Sequence, residues 1–126
     1  MQPDATPILN LRNFKLEEFK CKCCGSVIMD KEFLLKLDRA RTISRVPFHI
    51  NSGYRCSKHN EAIGSKPTSS HIRGHAADIL YNSDREMYRI LVSCIACGIK
   101  RIGVYRTFLH VDDDPVKTQK VIWYGE

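Results

Sequence analysis

At 126 residues, 43% of them hydrophobic, the chain has enough apolar material for one buried core and too little length for two domains, which sets aside global disorder. The formal charge is +6, a balance that favours anionic partners such as nucleic acid, acidic lipid or a bacterial wall. The basic residues are interleaved with Glu17, Glu18, Glu32 and Asp38, so the plain expectation is a solvated mixed surface, and no stretch of about 18 apolar residues offers a membrane span.

Residues 1–13 read as a lead-in with two prolines, followed by a single domain over 14–126. A short helix is expected from Lys15, with Leu16 and Phe19 inward, ended by the cysteine cluster and Gly25. Asp30 suits a helix N-cap. Phe33, Leu34, Leu37 and Ala40 then follow helical spacing, which predicts an amphipathic helix over 31–44 that Pro47 stops. Phe48 and Ile50 form a short strand before the Asn51-Ser52-Gly53 turn, and residues 57–62 make one or two helical turns capped by Ser57. A polar loop spans 64–70. Ala76–Leu80 reads as a buried strand, and Ser83 caps a second long helix over 84–97 that Gly98 ends. Three more strands are expected at 101–105, 108–112 and 120–124. The class is α+β: a small antiparallel sheet with helices packed on one side.

Three segments carry the chemistry: SGYRCSKHN (52–60), SSHIRGHAADI (69–79) and FLHVDDD (108–114). Asp78 lies in an apolar strand, where an unpaired carboxylate is costly to bury, and His110 lies mid-strand between Leu109 and Val111. His71 ends a polar loop. Zinc accepts imidazole and carboxylate ligands, and a catalytic zinc keeps one position open, so a shared ion accounts for all three residues. Taken singly, each is as readily an ordinary core or surface residue.

The ordered set SGYR, S-x-H-x-x-G-x-A-x-D and H-V-D resembles the family of zinc D-Ala-D-Ala carboxypeptidases and L-Ala-D-Glu endopeptidases. That family includes phage endolysins and the vancomycin-resistance dipeptidases, and its fold is shared by hedgehog signalling domains. The opening NFKLEEFKCKCCG is similar to the lead-in of short phage-type members, and the likeness covers roughly residues 14–124. The resemblance implies one catalytic Zn2+ on His71, Asp78 and His110. It also implies an arginine, Arg55, facing the scissile carbonyl, and a hydrolytic attack on an amide bond of peptidoglycan stem peptide. Many members place an acidic residue or a histidine shortly before the last ligand. Residues 105–109 offer none here, so Asp112, two residues past His110 on the same strand face, is the expected general base or the group that orients the histidine. Ser69 and Ser70 are expected to bind a substrate carboxylate, and Tyr54 and Trp123 to line the cleft or fill the core. His75 is left at the rim.

The chain shows no basic segment followed by an apolar one at its start. The expectation is therefore synthesis in the cytoplasm and a separate route to the wall, as for a phage lysin, with peptidoglycan as partner, no nucleic acid, no membrane and a monomeric state. Six cysteines in such a chain read as free thiols or metal ligands before disulfides. Two groupings stand open for a structural ion: Cys21 and Cys24 with Cys94 and Cys97, or Cys21, Cys23 or Cys24 with Cys56 and His59. Two other functions compete with the peptidase: a non-catalytic zinc module on the same fold, and a nucleic-acid-binding zinc protein built on the cysteines.

Overall fold

A computed structural model describes residues 10–125; residues 1–9 of the expected lead-in lie outside them. The first element among the described residues is a 3-10 turn, Leu16–Phe19, whose Phe19 is fully buried. Helix α1, Lys31–Ser44, follows. The Asp30 carboxylate accepts from the Phe33 N–H at 2.9 Å and satisfies a donor that the first helical turn leaves open. Phe33, Leu34, Leu37 and Ala40 have no exposed surface, and Arg45 ends the helix in the left-handed region at φ 61°. Strand β1, His49–Ser52, and a short helix α2, Ser57–Ala62, come next. The cap of α2 is Cys56 and not Ser57, its sulfur accepting from the His59 N–H at 3.4 Å. Strand β2, Ala76–Leu80, leads to helix α3, Asp84–Ala96, capped by Ser83 on the Glu86 N–H. Strands β3, Arg101–Val104, β4, Phe108–Asp112, and β5, Val121–Tyr124, complete the fold.

The five strands form one sheet in the order β1-β2-β4-β3-β5. The α+β class matches the expectation, but the sheet is mixed: β3 and β5 run parallel, and the other three pairs are antiparallel. The reason is positional. Both edges of β4 are taken, by β2 and β3, so the chain leaving β4 cannot pair with it; it returns antiparallel to β4 and joins the free edge of β3, which places it parallel to β3.

Alternation along the strands divides the sheet into two faces. Ala77, Ile79, Ile102, Leu109 and Val111 point one way and are fully buried with Phe33, Leu34, Leu37 of α1 and Ile90, Cys94 of α3 in a single cluster. The residues between them point the other way. Asp78 is the direct cross-strand partner of His110, His110 of Gly103, and Gly103 of Trp123. The helices thus bury one face and leave the polar residues of the other free to build a site. No described helix is long and apolar enough to cross a membrane.

Candidate metal centre

The register that pairs Asp78 with His110 places two polar side chains beside each other on the open face. His71 reaches them from the loop before β2. Its Nε2 lies 3.2 Å from Asp78 Oδ1, and His110 Nδ1 lies 3.1 Å from the same oxygen. The three donor atoms lie within 4.8 Å of one another, so one ion can be shared by all three side chains.

The ring nitrogens facing away from this point are fixed as well. His71 Nδ1 donates to the Gly53 carbonyl at 2.7 Å, which leaves Nε2 as the nitrogen that faces Asp78. His110 Nε2 donates to Asp112 Oδ2 at 2.6 Å, which leaves Nδ1 as the nitrogen that faces Asp78. Asp112 is buried, and its other oxygen accepts from Arg101 Nε at 2.8 Å and from the Asp114 N–H at 3.0 Å. A carboxylate holding the outer nitrogen of a ligand histidine is the usual support of a metal site.

Electrostatics follow from these contacts. Burial alone raises the pKa of Asp78, but hydrogen bonds from His110 and His71 outweigh it and hold the carboxyl well below the usual carboxylate range. Burial lowers His71. Burial also disfavours the charged form of His110, yet its bonds to Asp112 and Asp78 prevail and raise it. Asp78 is therefore held ionised between the two rings, an anionic ligand for a cation.

Arg55 faces the same cavity. It is 9% exposed, and no carboxylate pairs with it among the described residues; its Nη2 lies 3.5 Å from Ser69 Oγ and its Nε has no partner. Burial lowers its pKa, with attraction to Asp78 opposing. A buried guanidinium with an unused donor is costly unless something else meets it, and the opening in front of it is a cavity of about 450 Å³.

The sequence itself matches a known family. The family described as Peptidase M15 matches residues 12–112, which include the whole cluster. The chain belongs to the peptidase M15 family. Among curated proteins none matches. M15 peptidases are of the zinc D-Ala-D-Ala carboxypeptidase type, and the side chains here fit that ion: three N and O donors converge and the outer histidine nitrogens are locked.

The remaining expected residues fall in different places of this M15 domain. Ser69 lines the cavity, its oxygen accepting from the His71 N–H at 3.2 Å. Ser70 borders it, but its hydroxyl donates to Asp114 Oδ2 at 2.8 Å and accepts from Lys117 Nζ at 2.9 Å. Tyr54 packs against the core and is not part of the cavity wall, whereas Trp123 is, its ring centroid 5.5 Å from that of His110. His75 stands apart, bound to Asp113 at 2.8 Å. The grouping of Cys21 and Cys24 with Cys94 and Cys97 does not form: Cys94 is fully buried in the helical core, while Cys21, Cys23, Cys24 and Cys56 converge and His59 contributes only its N–H.

Sequence reasoning passed over Arg101, Asp114 and Lys117. The run 112–114 was open to reading as strand-end charge, yet each of its carboxylates is engaged: Asp112 by His110 and Arg101, Asp113 by Lys36 and His75, Asp114 by Ser70 and Arg73. The run of three adjacent acids looks the same in the sequence whether it faces water or partners, so no signal there pointed to these contacts.

Proposed function

We propose that the chain is a zinc peptidase that hydrolyses an amide bond of peptidoglycan stem peptide, as a D-Ala-D-Ala carboxypeptidase or an L-Ala-D-Glu-type endopeptidase, in the manner of a phage lysin. The observation that carries this reading is the shared cavity: the convergent His71, Asp78 and His110 beside a buried Arg55 that no carboxylate neutralises among the described residues. A bound zinc supplies Lewis acidity and activates water at neutral pH.

The residues of the chain do the rest. Arg55 lines the cavity with its Nη2 beside Ser69, and its guanidinium binds the carbonyl oxygen of the substrate and gains strength as negative charge develops there. Asp112 keeps His110 Nε2 protonated and the ring turned inward; both of its oxygens are hydrogen-bonded, which favours the orienting role over that of general base, the two roles expected for it. Lys66 on the rim and Ser69 on the wall suit a substrate carboxylate. Trp123 gives the wall an apolar surface for a small side chain such as that of alanine.

One observation favours a second reading, a non-catalytic zinc module. Apart from the three ligands and Asp112, no carboxylate or imidazole lines the cavity among the described residues. The two readings separate on one experiment: zinc-loaded protein is incubated with purified peptidoglycan, and the released fragments are read by mass spectrometry beside a His110→Ala control. The peptidase gives fragments cut at one defined bond, absent with the control. Intact wall beside protein that demonstrably holds its zinc means the module.

A further inference from the structure

Away from the cavity, a second group of side chains has the chemistry of a metal site. Cys21, Cys23, Cys24 and Cys56 place their sulfurs within 4.8 Å of one another, and Cys23 Sγ and Cys56 Sγ are 3.6 Å apart. Four thiolates at Zn–S bonds of about 2.3 Å around a tetrahedron stand about 3.8 Å from each other. The cluster already has nearly those dimensions.

The backbone around it is built to hold sulfurs inward. The Gly25 N–H donates to the Cys21 carbonyl at 2.8 Å, and the Cys21 N–H to the Ser26 carbonyl at 2.7 Å, which closes residues 21–26 into a tight knuckle. Two backbone N–H groups point at sulfur: Cys56 N to Cys21 Sγ and His59 N to Cys56 Sγ, each at 3.4 Å. Such donors favour the thiolate over the thiol, and the thiolate is the form that binds a metal. The fourth sulfur comes from the cap of α2, distant in sequence but brought near because the Tyr54 N–H bonds the Phe19 carbonyl at 2.8 Å. Gly53 permits that approach, since a Cβ on it would meet the Phe19 backbone at 2.7 Å.

A disulfide accounts for this arrangement less well. One bond would use two of the four sulfurs and leave the others facing it, and adjacent Cys23 and Cys24 are poorly placed to bond to each other.

We propose that Cys21, Cys23, Cys24 and Cys56 hold one structural zinc ion as four thiolates, each thiol releasing its proton on binding, and that this ion ties the N-terminal knuckle to the loop that carries Arg55. Arg55 immediately precedes Cys56, so the ion fixes the backbone from which that guanidinium enters the cavity. The inference rests on the cysteines alone and does not depend on the peptidase reading.

The test is cobalt(II) loading of the full chain carrying His71→Ala and His110→Ala, which removes two ligands of the other centre. The expected result is one cobalt per chain with intense sulfur-to-cobalt charge-transfer absorption in the near ultraviolet and the visible bands of tetrahedral cobalt. Adding Cys24→Ser weakens the charge-transfer absorption. Wild-type protein loaded stepwise shows the same absorption, which keeps the test decisive should a variant not fold. A folded protein without charge-transfer absorption overturns the proposal. So does a non-reduced peptide map that joins Cys23 to Cys56, because that sulfur is then unavailable to the ion.

Discussion

His110 is held from both sides of its ring, by Asp78 at Nδ1 and by Asp112 at Nε2, and the second contact sets what the first can do. Asp112→Asn keeps the shape but lets the amide present either a donor or an acceptor, so the tautomer is no longer enforced. Zinc affinity measured by chelator competition should fall about 10–100-fold. Arg55 acts at a different stage. Arg55→Ala should lower kcat about 10²–10³-fold with zinc content unchanged, a loss read from hydrolysis of a stem-peptide substrate beside metal analysis. Arg55→Lys should recover little of it, because an ammonium lacks the planar fork with which the guanidinium lines the cavity. Loss of zinc along with activity would instead make Arg55 a structural support of the cluster.

At the scale of elements, the site depends on which strand lies beside which. Gly103 stands between His110 on β4 and Trp123 on β5, and a Cβ there would meet the indole at 2.7 Å. Gly103→Ala therefore forces the ring off the cavity wall and should cost about 1–3 kcal/mol in a denaturant titration, the range of an overpacked contact. An unchanged midpoint would show that β5 yields without cost. The same strands mark where sequence reading reaches its limit. The spans of α1, β2, α3 and β4 were legible because each has a periodic apolar face and a local stop or cap: Asp30 and Ser83 at the helix starts, Gly98 after α3. The convergence of His71, Asp78 and His110 was legible through motif resemblance and through the oddity of Asp78 in an apolar run. The parallel partner of β3 was not, because pairing across an edge follows from which edges are already filled. Nor was the engagement of Asp112, Asp113 and Asp114 in three directions, since a charge run looks alike whether it faces water or ligands.

For the molecule as a whole, the open face gathers charge that the helix-covered face could not tolerate, and a bound metal would make that stable across pH. Saturating zinc at about a thousand times its Kd should add about 4 kcal/mol, seen as a drop in Tm on chelation while the fold persists. The pH dependence has a definite sign. Without metal, His110 has a raised folded pKa, so its contribution is fully present below the unfolded value near 6.5 and is lost as pH rises through the folded value. His71 is lowered, so its contribution is present above the unfolded value and lost as pH falls. With zinc bound, neither ring can take a proton at its ligand nitrogen. The difference in Tm between zinc-loaded and chelated protein should therefore narrow on acidification, chiefly through His110. A difference independent of pH would mean that the histidines are not the ligands.

Trp123 is the sole tryptophan of the chain, and its indole forms part of the cavity wall beside His110. Excitation selective for indole thus draws light from one place in the molecule. A paramagnetic ion bound at the cluster quenches that emission over a few ångströms, and a peptide entering the cavity shifts its colour. The protein carries its own lamp at the mouth of the site, so occupancy can be followed in solution without a label or a turnover assay.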